Sequence, residues 1–238
     1  LKPAEIGLLD NSEHALYTID LESIESWPDV PRQALIADVR DVGRIRQIFK
    51  DFHPELVFHA AAMKHVPMVE ANILEGASIN VTGTVNIADT CLRAGVQTMV
   101  QISTDKAVNP TSVMGATKRI AESYCQALDL QRGKAGKGTT RFVTVRFGNV
   151  LGSTGSVVPL FQRQLAKGGP ITVTHPDMTR YFMTVREAVE LVLRASTMGH
   201  PQNSDVGNGV GKIFVLDMGE PIRILDLAEQ MIRLAGVK

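Results

Sequence analysis

The residues best equipped for chemistry stand together in one stretch, "ISTDKAVNPTSVMGATKR", from Ile102 to Arg119. Ser103 and Thr104 end an apolar run that reads as a strand, and Asp105 and Lys106 follow at once. Met114 and Lys118 lie four apart, on one face of the helix that follows. A neighbouring carboxyl and amine can give and take protons in one reaction, and loops at strand ends are where α/β enzymes put their chemistry. Singly, Asp105 is a turn former and Lys118 a solvated lysine. The combination is what points to a site.

Other candidates fall at similar places. In "VFHAAAMKHVP" the alanines Ala60, Ala61 and Ala62 follow a strand and let backbone approach a ligand closely, with Lys64 and His65 just beyond. In "RFGNVLGSTGSVVPLF" Asn149, Ser153 and Ser156 can offer hydrogen bonds to a bound molecule. Arg180 is a fork-shaped donor suited to phosphate, set just before a capping box of Thr184 and Glu187. Asp10 ends the first apolar run, where a dinucleotide fold uses an acid to hold the adenosine ribose and so selects NAD over NADP. Asp38 and Val39 fall where an adenine would rest. Each acid also has a plainer use: Asn11 or Ser12 can cap the helix after Asp10, and Asp38 or Asp41 the one starting near Val42.

These positions need strands and helices in alternation, and the chain supplies them. Apolar runs at Glu5–Leu9, Ala34–Ala37, Leu56–His59, Thr98–Ser103, Phe142–Phe147 and Lys212–Leu216 read as buried parallel strands. Between them lie helical patterns near Ser12–Ser23, Val42–Asp51, Ala77–Ala94, Ser112–Leu130, Val157–Lys167, Arg186–Thr197 and Ile224–Leu234. The expected fold is α/β, a Rossmann-like, doubly wound and mostly parallel sheet. Residues 1–150 are expected to form the NAD-binding part, and residues 151–238 a smaller substrate-binding region interleaved with the last strands. The first strand and Gly-rich turn of such a fold would precede Asp10 and are not in this sequence, so the chain reads as a piece of something longer. "QRGKAGKGTT" (Gln131–Thr140) reads as a solvated loop, and "GNGVGK" (Gly207–Lys212) as a turn rather than a phosphate loop.

Composition narrows the partners. Lys+Arg and Asp+Glu are 25 each, so no global charge draws the chain to nucleic acid or an anionic membrane. No apolar run approaches the roughly 20 residues that span a bilayer. Cys91 and Cys125 lack chelating spacing and are expected to be buried free thiols, and no metal site is expected.

Taken together, "HAAAMKHVPMVE", "NVTGTVN", "STDKAVNPTSVMGATKR", "RFGNVLGSTGSVVPLF" and "DMTRYFMTVREAVELV" resemble the extended short-chain dehydrogenases/reductases of the nucleotide-sugar 4,6-dehydratase group. Within it they look like the polysaccharide-biosynthesis (CapD-like) branch that acts on UDP-N-acetylglucosamine. The resemblance runs from Asp10 to the chain end. It implies that Thr104, Met114 and Lys118 fill the threonine, tyrosine-or-methionine and lysine positions, with Lys118 also on the cofactor ribose. Methionine at this place resembles the form that retains configuration at C5.

The implied reaction oxidises C4 reversibly with NAD, which acidifies the proton on C5. Lys106, neutral, removes that proton, and Asp105, protonated, helps the C6 hydroxyl leave as water; the product is a 4-keto-6-deoxy sugar. An adjacent acid and base can equally rest as an ion pair. A thioether cannot take the C4 hydroxyl proton as tyrosinate would, so Lys118, Thr104 through a water, or the substrate's own surroundings must take it, and Lys118 is expected to assist. The resemblance also implies a homo-oligomer, cytoplasmic or held at the cytoplasmic face of the inner membrane, serving capsule or O-antigen synthesis. An epimerase or reductase of the same fold, or a UDP-sugar-binding fragment without turnover, are the competing expectations.

Overall fold

The computed structural model describes residues 3–135, 140–153, 155–198 and 210–236. β1 (Ile6–Asp10) leads into α1 (Glu13–Ser26), β2 (Arg32–Ile36) into α2 (Val42–Phe52), and β3 (Leu56–His59) into α3 (Val66–Ala71) and α4 (Ile73–Ala77). A π-helical turn at Ser78–Gly83 continues as α5 (Thr84–Ala94). β4 (Thr98–Thr104) passes through a 3-10 turn, Asp105–Ala107, into α6 (Val113–Ala135). Then come β5 (Arg141–Phe147), β6 (Asn149–Val150), α7 (Val157–Ala166), β7 (Thr179–Arg180), β8 (Phe182–Met183) and α8 (Val185–Thr197). β9 (Ile213–Val215), β10 (Ile222–Arg223) and α9 (Ile224–Leu234) follow.

The main sheet is parallel, in the order β3-β4-β5-β9, and β1 pairs with β2, also parallel, as a separate two-stranded sheet. Successive strand residues point to opposite faces, and both faces are covered. Met99 and Phe142 join a core with Ile45, Ile48 and Phe49 of α2 and with Ile87, Cys91 and Cys125 of α5 and α6. Their neighbours Val100 and Val143 turn the other way and meet Ala188, Val192 and Ala195 of α8. This is the expected doubly wound, Rossmann-like arrangement, and both cysteines are buried free thiols as expected. A third, smaller core joins Phe161 of α7 to Ile224 and Ala228 of α9.

Helix starts follow the capping residues. Ser12 Oγ accepts the Ala15 N–H at 3.2 Å, and the Asp41 carboxylate accepts the Arg44 N–H at 2.9 Å. So the caps are Ser12 and Asp41, and Asp38 is left for other work. Thr184 and Glu187 form the anticipated capping box of α8.

Three stretches depart from the sequence reading. Helix α6 runs on to Ala135, so the first half of Gln131–Thr140 is helix rather than loop. Buried Asp129 explains the extension: it accepts the Phe142 N–H at 3.0 Å, the Gly211 N–H at 2.7 Å and Arg132 Nε at 3.0 Å, tying the last turns of α6 to the sheet. Residues 136–139, Thr154 and 199–209 lie outside the described residues, so of "GNGVGK" only Val210, Gly211 and Lys212 are seen, the first two in a turn. Between Val66 and Gly83 the chain makes two short helices and a π-turn, where only a helix from Ala77 was expected. Beyond β5, the loosened alternation holds two small ladders, β6 with β8 and β7 with β10.

Candidate active site

At the carboxyl end of β4, the 3-10 turn brings three polar groups together. The Thr104 hydroxyl donates to Asp105 Oδ1 at 2.8 Å, and Lys106 Nζ donates to the same oxygen at 3.0 Å. Lys106 Nζ also reaches Asn149 Oδ1, at the start of β6, at 3.4 Å. Asp105 and Lys106 therefore rest as an ion pair anchored from both sides. Helix α6 starts beside this turn because residue 115 is glycine: a Cβ there would collide with the Lys106 carbonyl oxygen. Glu70 of α3 holds the same end of α6, accepting the Val113 N–H at 2.7 Å.

A cavity of about 310 Å³ opens over these residues. Its walls bring together Thr104 and Lys106, Met114 and Lys118 of α6, and Asn149, Ser153 and Ser156 from beyond β5. Ala60, Ala62, Lys64 and His65 close the side next to β3. Gly155 is pressed against the His65 ring, at a φ of 70° that suits glycine. Asp105 is not itself on the wall and reaches it through Thr104 and Lys106. Arg180, on β7, lines neither this cavity nor the next, and its guanidinium bonds the Thr179 carbonyl.

A second cavity, of about 440 Å³, is lined by Asp10, Asp38, Val39 and the alanines Ala60, Ala61 and Ala62. Asp10 Oδ1 accepts the Ser12 N–H at 2.8 Å. Asp38 is gripped by the Arg40 guanidinium, at 3.0 and 2.8 Å, and by Asn11. The Arg40 hydrogen bonds hold its carboxyl down at about 2, so it is an anion throughout the physiological range. Ala60, Ala62 and Met63 belong to both cavities.

Lys118 is 5 % exposed and donates to the Ile102 carbonyl at 2.7 Å. Burial pulls its ammonium down to about 8, against the opposing field of Glu122. His59 is buried at the end of β3, bonded to Thr84 at 2.9 Å, and burial pushes its ring down to about 3, leaving it neutral.

Sequence reasoning missed a polar layer beneath the site. Glu122, fully buried, accepts Ser103 Oγ at 2.6 Å and Arg146 Nε at 2.7 Å, and also meets Arg146 Nη2 and Arg119. Burial alone would push its carboxyl up, but the bonds from Arg146 and Ser103 outweigh this and hold it below the usual carboxylate range. Asn80, buried in the π-turn, pins Met63 through both its N–H and its carbonyl, at 2.8 and 3.0 Å, and donates to Thr117 at 3.0 Å. The available signal was the spacing Lys118, Glu122, Cys125, Asp129, which repeats on one helical face.

A parallel sheet with two adjoining cavities at its strand ends, and a Thr-Asp-Lys turn beside the helix that carries Met114 and Lys118, is the Rossmann-like arrangement of a dehydrogenase/reductase fold. Comparison with known proteins agrees: the chain belongs to the polysaccharide biosynthesis protein family, which it matches over residues 1–238. It is 48 % identical over 237 residues to the capsular polysaccharide biosynthesis protein CapD of Staphylococcus aureus, covering 99 % of this chain and 37 % of that protein. It is 37 % identical over 231 residues to a UDP-N-acetylglucosamine 4,6-dehydratase (inverting) of Campylobacter jejuni, covering 97 % of this chain and 64 % of that one. The chain thus spans less than two thirds of the length of these relatives. Its fold is also that of the dTDP-glucose 4,6-dehydratase DesIV of Streptomyces venezuelae, solved with NAD bound, with a TM-score of 0.80 at 20 % identity over 99 % of this chain and 73 % of that one. Nucleotide-sugar dehydratases and epimerases both occur among the matches.

Proposed function

We propose that the intact protein carrying this chain is an NAD-dependent 4,6-dehydratase of UDP-N-acetylglucosamine, serving bacterial capsule, O-antigen or related glycan synthesis. The observation that carries the reading is the Asp105–Lys106 pair, hydrogen-bonded at 3.0 Å between Thr104 and Asn149 at the edge of the cavity. Removing water from a sugar needs a base at C5 and an acid at the C6 hydroxyl, in reach of one another. C4 epimerisation and C4 reduction need no such pair.

The residues around the second cavity fit NAD. Asp10 and Asp38 are acids at strand ends, suited to ribose hydroxyls and opposed to a 2′-phosphate, and the three alanines leave room for close approach. Val39 would rest against the adenine, and Lys118 would hold the nicotinamide-side ribose. Bound there, NAD supplies a reversible two-electron oxidant for C4 of the sugar.

The chain's own residues do the rest. Proton transfer within the ion pair, from the Lys106 ammonium to the Asp105 carboxylate, creates a neutral amine and a neutral acid together. The amine then takes the C5 proton, the acid passes its proton to the Thr104 oxygen as the Thr104 hydroxyl gives its own to the departing C6 oxygen, and water leaves. The pair ends as the ion pair in which it began, so the protons balance over the step. Thr104 orients Asp105, and Asn149 orients Lys106. Since Met114 cannot accept a proton, Lys118 takes part in removing the one on the C4 hydroxyl. Lys64, His65, Asn149, Ser153 and Ser156 are assigned to the UDP-sugar, and Arg180, outside the cavity lining, to the distal end of its nucleotide.

We read residues 1–150 as the cofactor side and 151–238 as the substrate side. The protein is taken to work as a homo-oligomer in the cytoplasm or at the cytoplasmic face of the inner membrane; no helix among the described residues is long and apolar enough to cross a membrane. The names of the S. aureus and C. jejuni relatives support the capsular role and the substrate. The test is to incubate the intact protein with UDP-N-acetylglucosamine and NAD+ in heavy water and to follow the sugar by proton NMR. A new C6 methyl signal with deuterium at C5 is expected, with couplings of the C5-retained product. A C4 epimer without a methyl signal would make it an epimerase, and line broadening without product a binding protein.

A further inference from the structure

Two successive residues of β4 are bonded to two residues of α6 that lie one helical turn apart. The Ile102 carbonyl accepts from Lys118 Nζ at 2.7 Å, and the Ser103 hydroxyl donates to Glu122 at 2.6 Å. The next residue along β4 is Thr104, whose hydroxyl bonds Asp105. The strand end that carries the candidate chemistry is thus held to the helix that carries Met114 and Lys118 by a ladder of buried polar contacts. Its far rung rests on Glu122, which the Arg146 guanidinium from β5 grips through both Nε and Nη2.

A fully buried carboxylate is costly to keep in a protein interior. The fold could have filled this position with an apolar side chain, as it fills the α2 face with Ile45, Ile48 and Phe49. Instead Glu122 is solvated by three donor side chains and sits one turn from Lys118, with its charge facing the same interior.

We propose that Glu122 is a positioning residue of the active site, fixing the β4 end through Ser103 and Arg146 and setting a buried carboxylate one helical turn from Lys118. This rests on the dehydratase reading for its kinetic consequences and not for its electrostatic ones. Lys118 is faced by few groups: Glu122 and Cys125 on its own helix and neutral His59 from β3, with Arg146 and Arg119 reaching it only across Glu122. Lys106 and Asp105 stand at the same cavity as a paired couple. Among these, Glu122 is the anion whose removal is felt most directly.

The sign follows from the chemistry. Glu122 favours the protonated form of Lys118 and opposes the burial that lowers it to about 8. Removing the charge moves the Lys118 titration, and any rising limb of kcat/KM that reports it, to lower pH. The experiment uses the intact protein with 15N-labelled lysine side chains, the Lys118 signal being assigned by its loss in Lys118→Met. In Glu122→Gln the midpoint is expected to fall by about one pH unit, a tenfold change in proton affinity. The pH–rate limb should move with it, while KM for the UDP-sugar stays within about threefold and kcat falls about tenfold or more, as expected when a positioned proton-transfer group is disturbed.

Glu122→Asp keeps the charge and should keep the midpoint near wild type. A folded Glu122→Gln with an unmoved Lys118 midpoint overturns the proposal. If Glu122→Gln does not fold, Ser103→Ala takes its place: it cuts one rung without removing charge, so kcat should fall while the midpoint stays, and wild-type kcat would overturn the clamp. A wild-type protein that forms no product sinks the dehydratase reading, whereas the lysine titration still decides the role of Glu122.

Discussion

Helices α2 and α6 share one apolar core, yet α6 buries charged side chains as well and α2 buries none. Helix α2 turns Ile45, Ile48 and Phe49 inward and leaves Arg44, Arg46 and Lys50 in solvent. Helix α6 turns Lys118, Glu122 and Asp129 inward, with Cys125 between them, and leaves Ile120 and Leu130 about half exposed. One helix is held by the removal of apolar surface from water, roughly 1.5–3 kcal/mol for each large side chain. The other adds to its apolar contacts hydrogen bonds whose loss leaves charges stranded. A buried polar face of this kind is justified by what it does rather than by the stability it adds.

That contrast can be broken at several points, beginning with the largest expected effect. Glu122→Ala strands the Arg146 guanidinium and should cost about 3–5 kcal/mol in chemical denaturation, because removing one partner of a buried pair leaves the other uncompensated. A cost below about 1 kcal/mol would show the pair to be solvated after all. Ile48→Ala on α2 should cost about 2–4 kcal/mol through the cavity it opens, yet leave the pH–rate profile of the folded enzyme where it was. A moved profile would mean that α2 is no mere support.

Asp129→Asn keeps the shape but replaces one acceptor oxygen by a donor facing the Gly211 N–H, at a cost of about 1–3 kcal/mol. Faster hydrogen exchange should then appear at the start of β9, and an unchanged pattern there would count against the clamp. Asp41→Ala, which removes the cap of α2, should cost about 1 kcal/mol, read as a small shift in the urea midpoint.

The same contrast explains what could be read from the sequence. Helix α2 was legible because its apolar residues recur at helical spacing, and that pattern means burial in most contexts. The strands β3, β4 and β5 were legible as continuous apolar runs, and the cavity residues around them as polar groups that follow a strand directly. Glu122 was not, since the partners that bury it, Ser103 and Arg146, lie 19 and 24 residues away and a helical glutamate is ordinarily solvated. Asn80 was hidden for a similar reason, its partners being the backbone of Met63 and the hydroxyl of Thr117. The short helices α3 and α4 lacked the length that periodicity needs. Arg180 had the right chemistry, but its neighbours in space could not be known.

The wall formed by Ala60, Ala62 and Met63 is common to both cavities. Two ligands that press on opposite sides of one thin partition cannot have independent affinities. Whatever free energy the first spends or gains in settling that segment is passed on to the second, and by the same amount in the reverse order. The Asn80 carboxamide grips the Met63 end of this partition by its backbone. Order of addition and mutual affinity would then be properties of this short segment as much as of the pockets it divides.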